Sequence, residues 1–106
     1  MKSISIVLNK CDDLFGDDSY IFDLKLQTKG IMVKTSFRVY DLTPLKTLIN
    51  AYFMGKNGHI SSWFDLSRDK LSIKSVDSNV LNDLIISDPK QIHNIVKKLN
   101  NLIERI

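Results

Sequence analysis

"IMVKTSFRVYDLTPLKTLINAYF", residues 31–53, changes its period halfway along. From Ile31 to Val39 the side chains alternate, with Ile31, Val33, Thr35, Phe37 and Val39 on one face and Lys34, Ser36 and Arg38 on the other. A strand with one wet face requires that pattern, because successive side chains point to opposite sides of a sheet. After "DLTP" the spacing becomes helical, with Leu45, Leu48, Ile49 and Tyr52 on one stripe. Thr43 stands where an N-cap is expected. Pro44 takes the first helical position, and Gly55 can close the helix in the left-handed conformation. A sheet strand feeding directly into an amphipathic helix predicts an α+β chain.

Upstream, the same alternation appears twice more. Ile4, Ile6 and Leu8 oppose Ser3 and Ser5, and Phe22, Leu24 and Leu26 oppose Asp23, Lys25 and Gln27. "TKG" at 28–30 reads as a hairpin turn, so the first three elements form an antiparallel meander. Downstream, "HISSWFDL" reads as one strand with Ile60, Ser62 and Phe64 on one face, "SRDK" as a turn, "LSIKS" as a short strand, and "VLNDLIIS" as a further strand with room for a bulge. The chain ends on an amphipathic helix of about 17 residues. Asp88 is its N-cap, Pro89 its first helical residue, and Gln91 completes a capping box. Ile92, Ile95, Val96, Leu99, Leu102, Ile103 and Ile106 form its stripe. The expected fold is α+β, an antiparallel sheet with two helices packed on it in the order βββα-βββα, residues 1–106 forming one domain.

Composition constrains function. The chain has 106 residues, 43% hydrophobic and 25% charged, enough for a core without covalent staples. No stretch approaches the roughly 18 apolar residues of a membrane span, and no signal peptide is apparent. One cysteine, Cys11, excludes an internal disulfide and gives no zinc-site spacing. These features point to the cytoplasm. Net charge is +3, but its sign alternates: residues 1–18 carry two Lys and four Asp, and residues 19–40 four basic residues and one acid. That is a set of separate charged surfaces rather than one nucleic-acid stripe.

The acid gathers in "CDDLFGDDSY", residues 11–20, where Asp12, Asp13, Asp17 and Asp18 flank Leu14, Phe15 and Gly16. A calcium EF-hand loop needs oxygens at positions 1, 3, 5 and 12 with glycine at 6, and neither Asp12 nor Asp13 as position 1 satisfies this. The readings left open are a solvated turn, an acidic docking loop, and carboxylate chemistry of the glycosidase type. Cys11, His59 and His93 are the only candidates for nucleophilic catalysis, and their spacing does not bring thiol and imidazole together. No phosphate-binding glycine loop, HExxH, CxxC or GxSxG occurs. The expectation is a protein with no enzymatic activity, no cofactor and no metal. Trp63 and Phe64 fall on opposite faces of their strand, so Trp63, beside Asp65, is either an exposed binding anchor or covered by a helix. Lys25, Lys34 and Arg38, with Ile21 and Tyr40 beside them, offer a basic sheet face of the kind that binds single strands, although Asp23 shares that face.

A meander, then "TPLKTLINAYF" as first helix, "WFDLSRDKLSIKS" as an aromatic-acidic strand leading to an "LSI" strand, and "DPKQIHNIVKKLNNLIERI" as closing helix: this order resembles the immunity proteins of bacterial polymorphic toxin systems, including contact-dependent growth inhibition. The resemblance implies a protein that binds and neutralises one cognate toxin, often a nuclease. It supplies no catalytic or ligand residues. In that reading the acidic loop occupies a cationic cleft of the toxin, and the expected partner-binding residues are Asp12, Asp13, Phe15, Asp17, Asp18, Trp63 and Asp65. A non-enzymatic adaptor or assembly subunit and a small nucleic-acid-binding domain are the alternatives.

Overall fold

The computed structural model describes residues 3–12, 18–28, 30–74 and 83–106. Three long strands, β1 (Ser3–Asp12), β2 (Asp18–Thr28) and β3 (Ile31–Val39), form the expected meander. Thr28 pairs with Ile31 across the turn, where Gly30 takes φ +81°, a conformation that L side chains rarely adopt. The register puts Ile4, Ile6 and Leu8 beside Leu26, Leu24 and Phe22, and these beside Val33, Thr35 and Phe37. Phe22 and Phe37 are fully buried and stack with ring centroids 5.0 Å apart. The β1 residues of this face are only half-buried, whereas Thr35, Phe37 and Val39 on the opposite edge, β3, are buried where that strand lies beside β7.

Helix α1 (Thr43–Phe53) buries Leu45, Leu48, Ile49 and Tyr52, the stripe the spacing predicts. Its cap differs from the expectation. Leu42 occupies the N-cap position without a side-chain bond, and Asp41 Oδ1 accepts from the Thr43 N–H at 2.9 Å. Hydrogen bonds from the backbone and hydroxyl of Thr43 hold the Asp41 carboxyl below the usual carboxylate range. The far end closes as expected at Gly55, φ +79°. The Gly55 N–H bonds Tyr52 O, and the Lys56 N–H bonds Ala51 O. This pair of bonds is the Schellman arrangement.

The second half departs from the expected order. "HISSWFDL" is two strands, β4 (Gly58–Ile60) and β5 (Phe64–Leu66), reversed by a turn at 61–63 in which Ser61 takes φ +49°. With β6 (Leu71–Ile73) and β7 (Leu84–Ile86) they form a separate antiparallel sheet, β4-β5-β6-β7. Among the described residues the fold is therefore α+β with two sheets of three and four strands and the order βββα-ββββα, in place of one sheet with βββα-βββα. The "SRDK" turn forms as expected, the Ser67 N–H bonding Lys70 O at 2.8 Å. The outer half of the predicted "VLNDLIIS" strand, residues 80–82, lies outside the described residues.

Helix α2 (Pro89–Glu104) buries Ile92, Ile95, Val96, Leu99 and Ile103. Leu102 is half-buried and Ile106 exposed, past the helix end. Asp88 caps it through the Lys90 N–H at 3.1 Å. The reciprocal capping-box bond from Gln91 is not formed, and Gln91 Nε2 is buried without a partner. α2 packs on α1 and β1, α1 packs on β4, and β3 lies beside β7, so one hydrophobic cluster includes both sheets and both helices.

Two positions in this core carry predictions. A Cβ on Gly58 would stand 2.5 Å from Leu48 Cδ1, and Leu48 is buried. Gly58→Ala should therefore lower stability by about 1–2 kcal/mol through overpacking; urea denaturation giving a wild-type midpoint would show that Leu48 moves aside. Thr35 is 2% exposed and its Oγ1 has no hydrogen-bond partner. Thr35→Val removes an unsatisfied hydroxyl from an apolar row and should stabilise by about 1 kcal/mol, read as a melting temperature a few degrees higher. A lower melting temperature would mean the hydroxyl is satisfied in solution.

Candidate functional site

The acidic stretch stands at one end of the first sheet. The β1–β2 ladder runs through Cys11–Ser19 to Asp12–Asp18, two pairs past Tyr20–Val39, where the β2–β3 ladder ends. Asp12 and Asp18 are thus direct cross-strand partners, an arrangement that like charge destabilises. Asp18 is exposed and pairs with Lys10 Nζ at 3.6 Å. Asp13, Phe15 and Asp17 lie outside the described residues.

Trp63 and Asp65 belong to the other sheet. Trp63 sits in the β4–β5 turn rather than in a strand. It is half-buried, its ring 5.4 Å from Phe37 and 5.6 Å from Phe64. Its cover is therefore aromatic, drawn from β3 and β5. Asp65 is exposed on the solvent face of β5. Register places it in a row, His59–Asp65–Ser72–Ile85, across all four strands. An acyl-transfer triad needs imidazole between hydroxyl and carboxylate. Here the carboxylate stands in the middle, and no hydrogen bond joins the three polar residues. Cys11, on β1, and His93, on α2, belong to other elements. His93 packs against the Tyr52 and Phe53 rings at 6.3 and 6.2 Å. Among the described residues no group of three or more His, Cys, Asp or Glu could hold a metal ion. No helix among them is long and apolar enough to cross a membrane.

The outer face of the first sheet gathers the residues the alternation assigns to it, and register adds what alternation does not reveal. Ser5, Lys25 and Lys34 form one row across the three strands, Val7, Asp23 and Ser36 the next, and Asn9, Ile21 and Arg38 the third. Asp23 accepts from Ser36 Oγ at 2.8 Å and from Asn9 Nδ2 at 3.1 Å. The single carboxylate in these rows is thus held by neutral donors and not by the flanking cations. The two-residue spacer between Thr28 and Ile31 was the available signal for the Lys25–Lys34 opposition, because a two-residue hairpin fixes the register of both strands. No family model matches this chain, and neither a curated protein nor a solved structure matches it.

Proposed function

We propose that this chain is an immunity protein that binds a cognate toxin, with a nuclease domain as the expected target, and neutralises it by blocking its active site or substrate path. The observation that carries the reading is the acidic end of the β1–β2 hairpin. Asp12 and Asp18 oppose each other beyond the end of the β2–β3 ladder, and two further aspartates lie in the connection between them. Like charges placed face to face do not stabilise a hairpin. They suit a cationic cleft, where electrostatic complementarity speeds association and selects the partner. A phosphate-binding nuclease supplies such a cleft. The expected site of action is the bacterial cytoplasm, and the chain needs no cofactor for this role.

The test is co-expression with the toxin domain encoded beside its gene. Growth should be restored, and the two chains should co-elute as a stable complex. Toxicity unchanged, with no complex formed by the purified proteins, would reject the reading. An adaptor role would then be favoured.

A further inference from the structure

We propose that the outer face of the β1–β2–β3 sheet binds single-stranded nucleic acid, with Lys25 and Lys34 seating a backbone phosphate between them. This goes beyond the toxin-binding reading and does not depend on it. Lys25 and Lys34 are direct cross-strand partners, an opposition of like charge that weakens a sheet unless an anion lies between. Asp23 is in the next row, and its two oxygens accept from Ser36 and Asn9 and pair with neither lysine. Lys25, Lys34 and Arg38 form no ion pair among the described residues. The face therefore carries a net charge of +2, three cations against one carboxylate that is oriented by neutral donors and not by the lysines.

The surroundings match a nucleotide. Lys25 and Lys34 border a shallow depression of about 340 Å³, with Ser5, Val7 and Asp23 among its other lining residues. Ser5, Lys25 and Lys34 stand in one cross-strand row, so a hydroxyl and two ammonium groups are at hand as donors for a phosphate, and Val7, 52% exposed, offers an apolar surface to the sugar. Arg38 follows on the same face of β3, four residues from Lys34 and so about 13 Å along the strand. Tyr40, two residues further, is 63% exposed and gives a ring for a base to stack on. Cations in sequence with an exposed aromatic at the end suit a repeating polyanion with flat bases better than the scattered carboxylates of a protein surface. The phosphate seat is separate from the acidic end, since Asp18 and Lys25 are seven residues apart on β2, about 23 Å, whereas Arg38, facing Ile21, is three residues from the level of Asp18, about 10 Å.

The test is fluorescence anisotropy with labelled 12-nucleotide oligo-U and oligo-dT at 50 and 200 mM salt. Wild type should bind both, more weakly at the higher salt. In the double variant Lys25→Gln/Lys34→Gln, affinity should fall at least tenfold, and the slope of log affinity against log salt should shrink by about 1.4, the value for two lost phosphate contacts on a single strand. Its melting temperature should equal or exceed that of wild type, because a repulsion has been removed, which separates lost binding from lost folding. Tyr40→Ala should weaken binding severalfold. Lys90→Gln/Lys97→Gln, on the exposed side of α2, should leave it unchanged. No binding at 50 mM salt, or an unaltered salt slope in the Lys25/Lys34 variant, would overturn the proposal. So would competition by a poly-glutamate peptide as strong as that by unlabelled oligonucleotide, which would assign the face to an acidic protein.

Discussion

Leu99→Asp should yield no folded protein at 25 °C. Leu99 is 1% exposed and stands mid-stripe on α2, the helix that packs on both α1 and β1. The change removes a burial worth about 1.5–3 kcal/mol and puts a carboxylate where burial costs several kcal/mol more. Together these approach the total stability of a domain of this size, about 5–15 kcal/mol. Ile95→Asp, also 1% exposed, should behave alike. Asn94→Asp, on the exposed side of the same helix, should stay within about 0.5 kcal/mol of wild type. Far-ultraviolet circular dichroism and urea titration read the outcome. A cooperative transition within 2 kcal/mol of wild type for Leu99→Asp would mean that α2 is not packed against the core.

That prediction follows from sequence alone, and the reason is physical. A helix of this length carries its stripe through several turns, so periodicity identifies the buried face without knowledge of the partner. The meander was legible on the same ground, each strand showing several alternations. "HISSWFDL" was not. Ile60 and Phe64 are cross-strand partners, and a three-residue turn leaves them four positions apart. An even separation keeps the two on the same face whether the chain runs straight or reverses, so the alternation persists through a hairpin. No glycine, proline or asparagine marks the reversal; Ser61 takes the left-handed conformation itself. The separation into two sheets was hidden for a related cause. Alternation reports which face of a strand is buried, not which strand lies beside it. The cap of α1 was misplaced because Thr43 and Asp41 both suit capping, and the carboxylate is the group that reaches the free N–H. At the candidate sites, the clustering of charge was legible, but the Asp12–Asp18 and Lys25–Lys34 oppositions emerge only once register is known.

In the variant Asp12→Asn/Asp13→Asn/Asp17→Asn/Asp18→Asn, association with the toxin should slow by about tenfold or more, the scale of electrostatic steering. Each aspartate alone is worth little, because an exposed ion pair contributes about 0–1 kcal/mol. Acting together, four charges at one end of the hairpin set the field that a cationic cleft meets before contact. Asparagine keeps the stretch polar and suited to turns, so the fold should be retained. The exposed Lys10–Asp18 pair is worth about 0–1 kcal/mol, so the melting temperature should change by little. The wild-type rate should fall between 0.02 and 0.2 M salt, as the screening length shortens, and the variant's should be nearly flat. Adding Phe15→Ala should then raise the dissociation rate, because an aromatic anchor buried by a partner holds the bound state rather than the encounter. Surface-plasmon kinetics at two salt concentrations separate these effects. An association rate unaltered by the four substitutions would return "CDDLFGDDSY" to the status of a solvated turn, and toxin contact would then be sought at Trp63 and Asp65 on the second sheet.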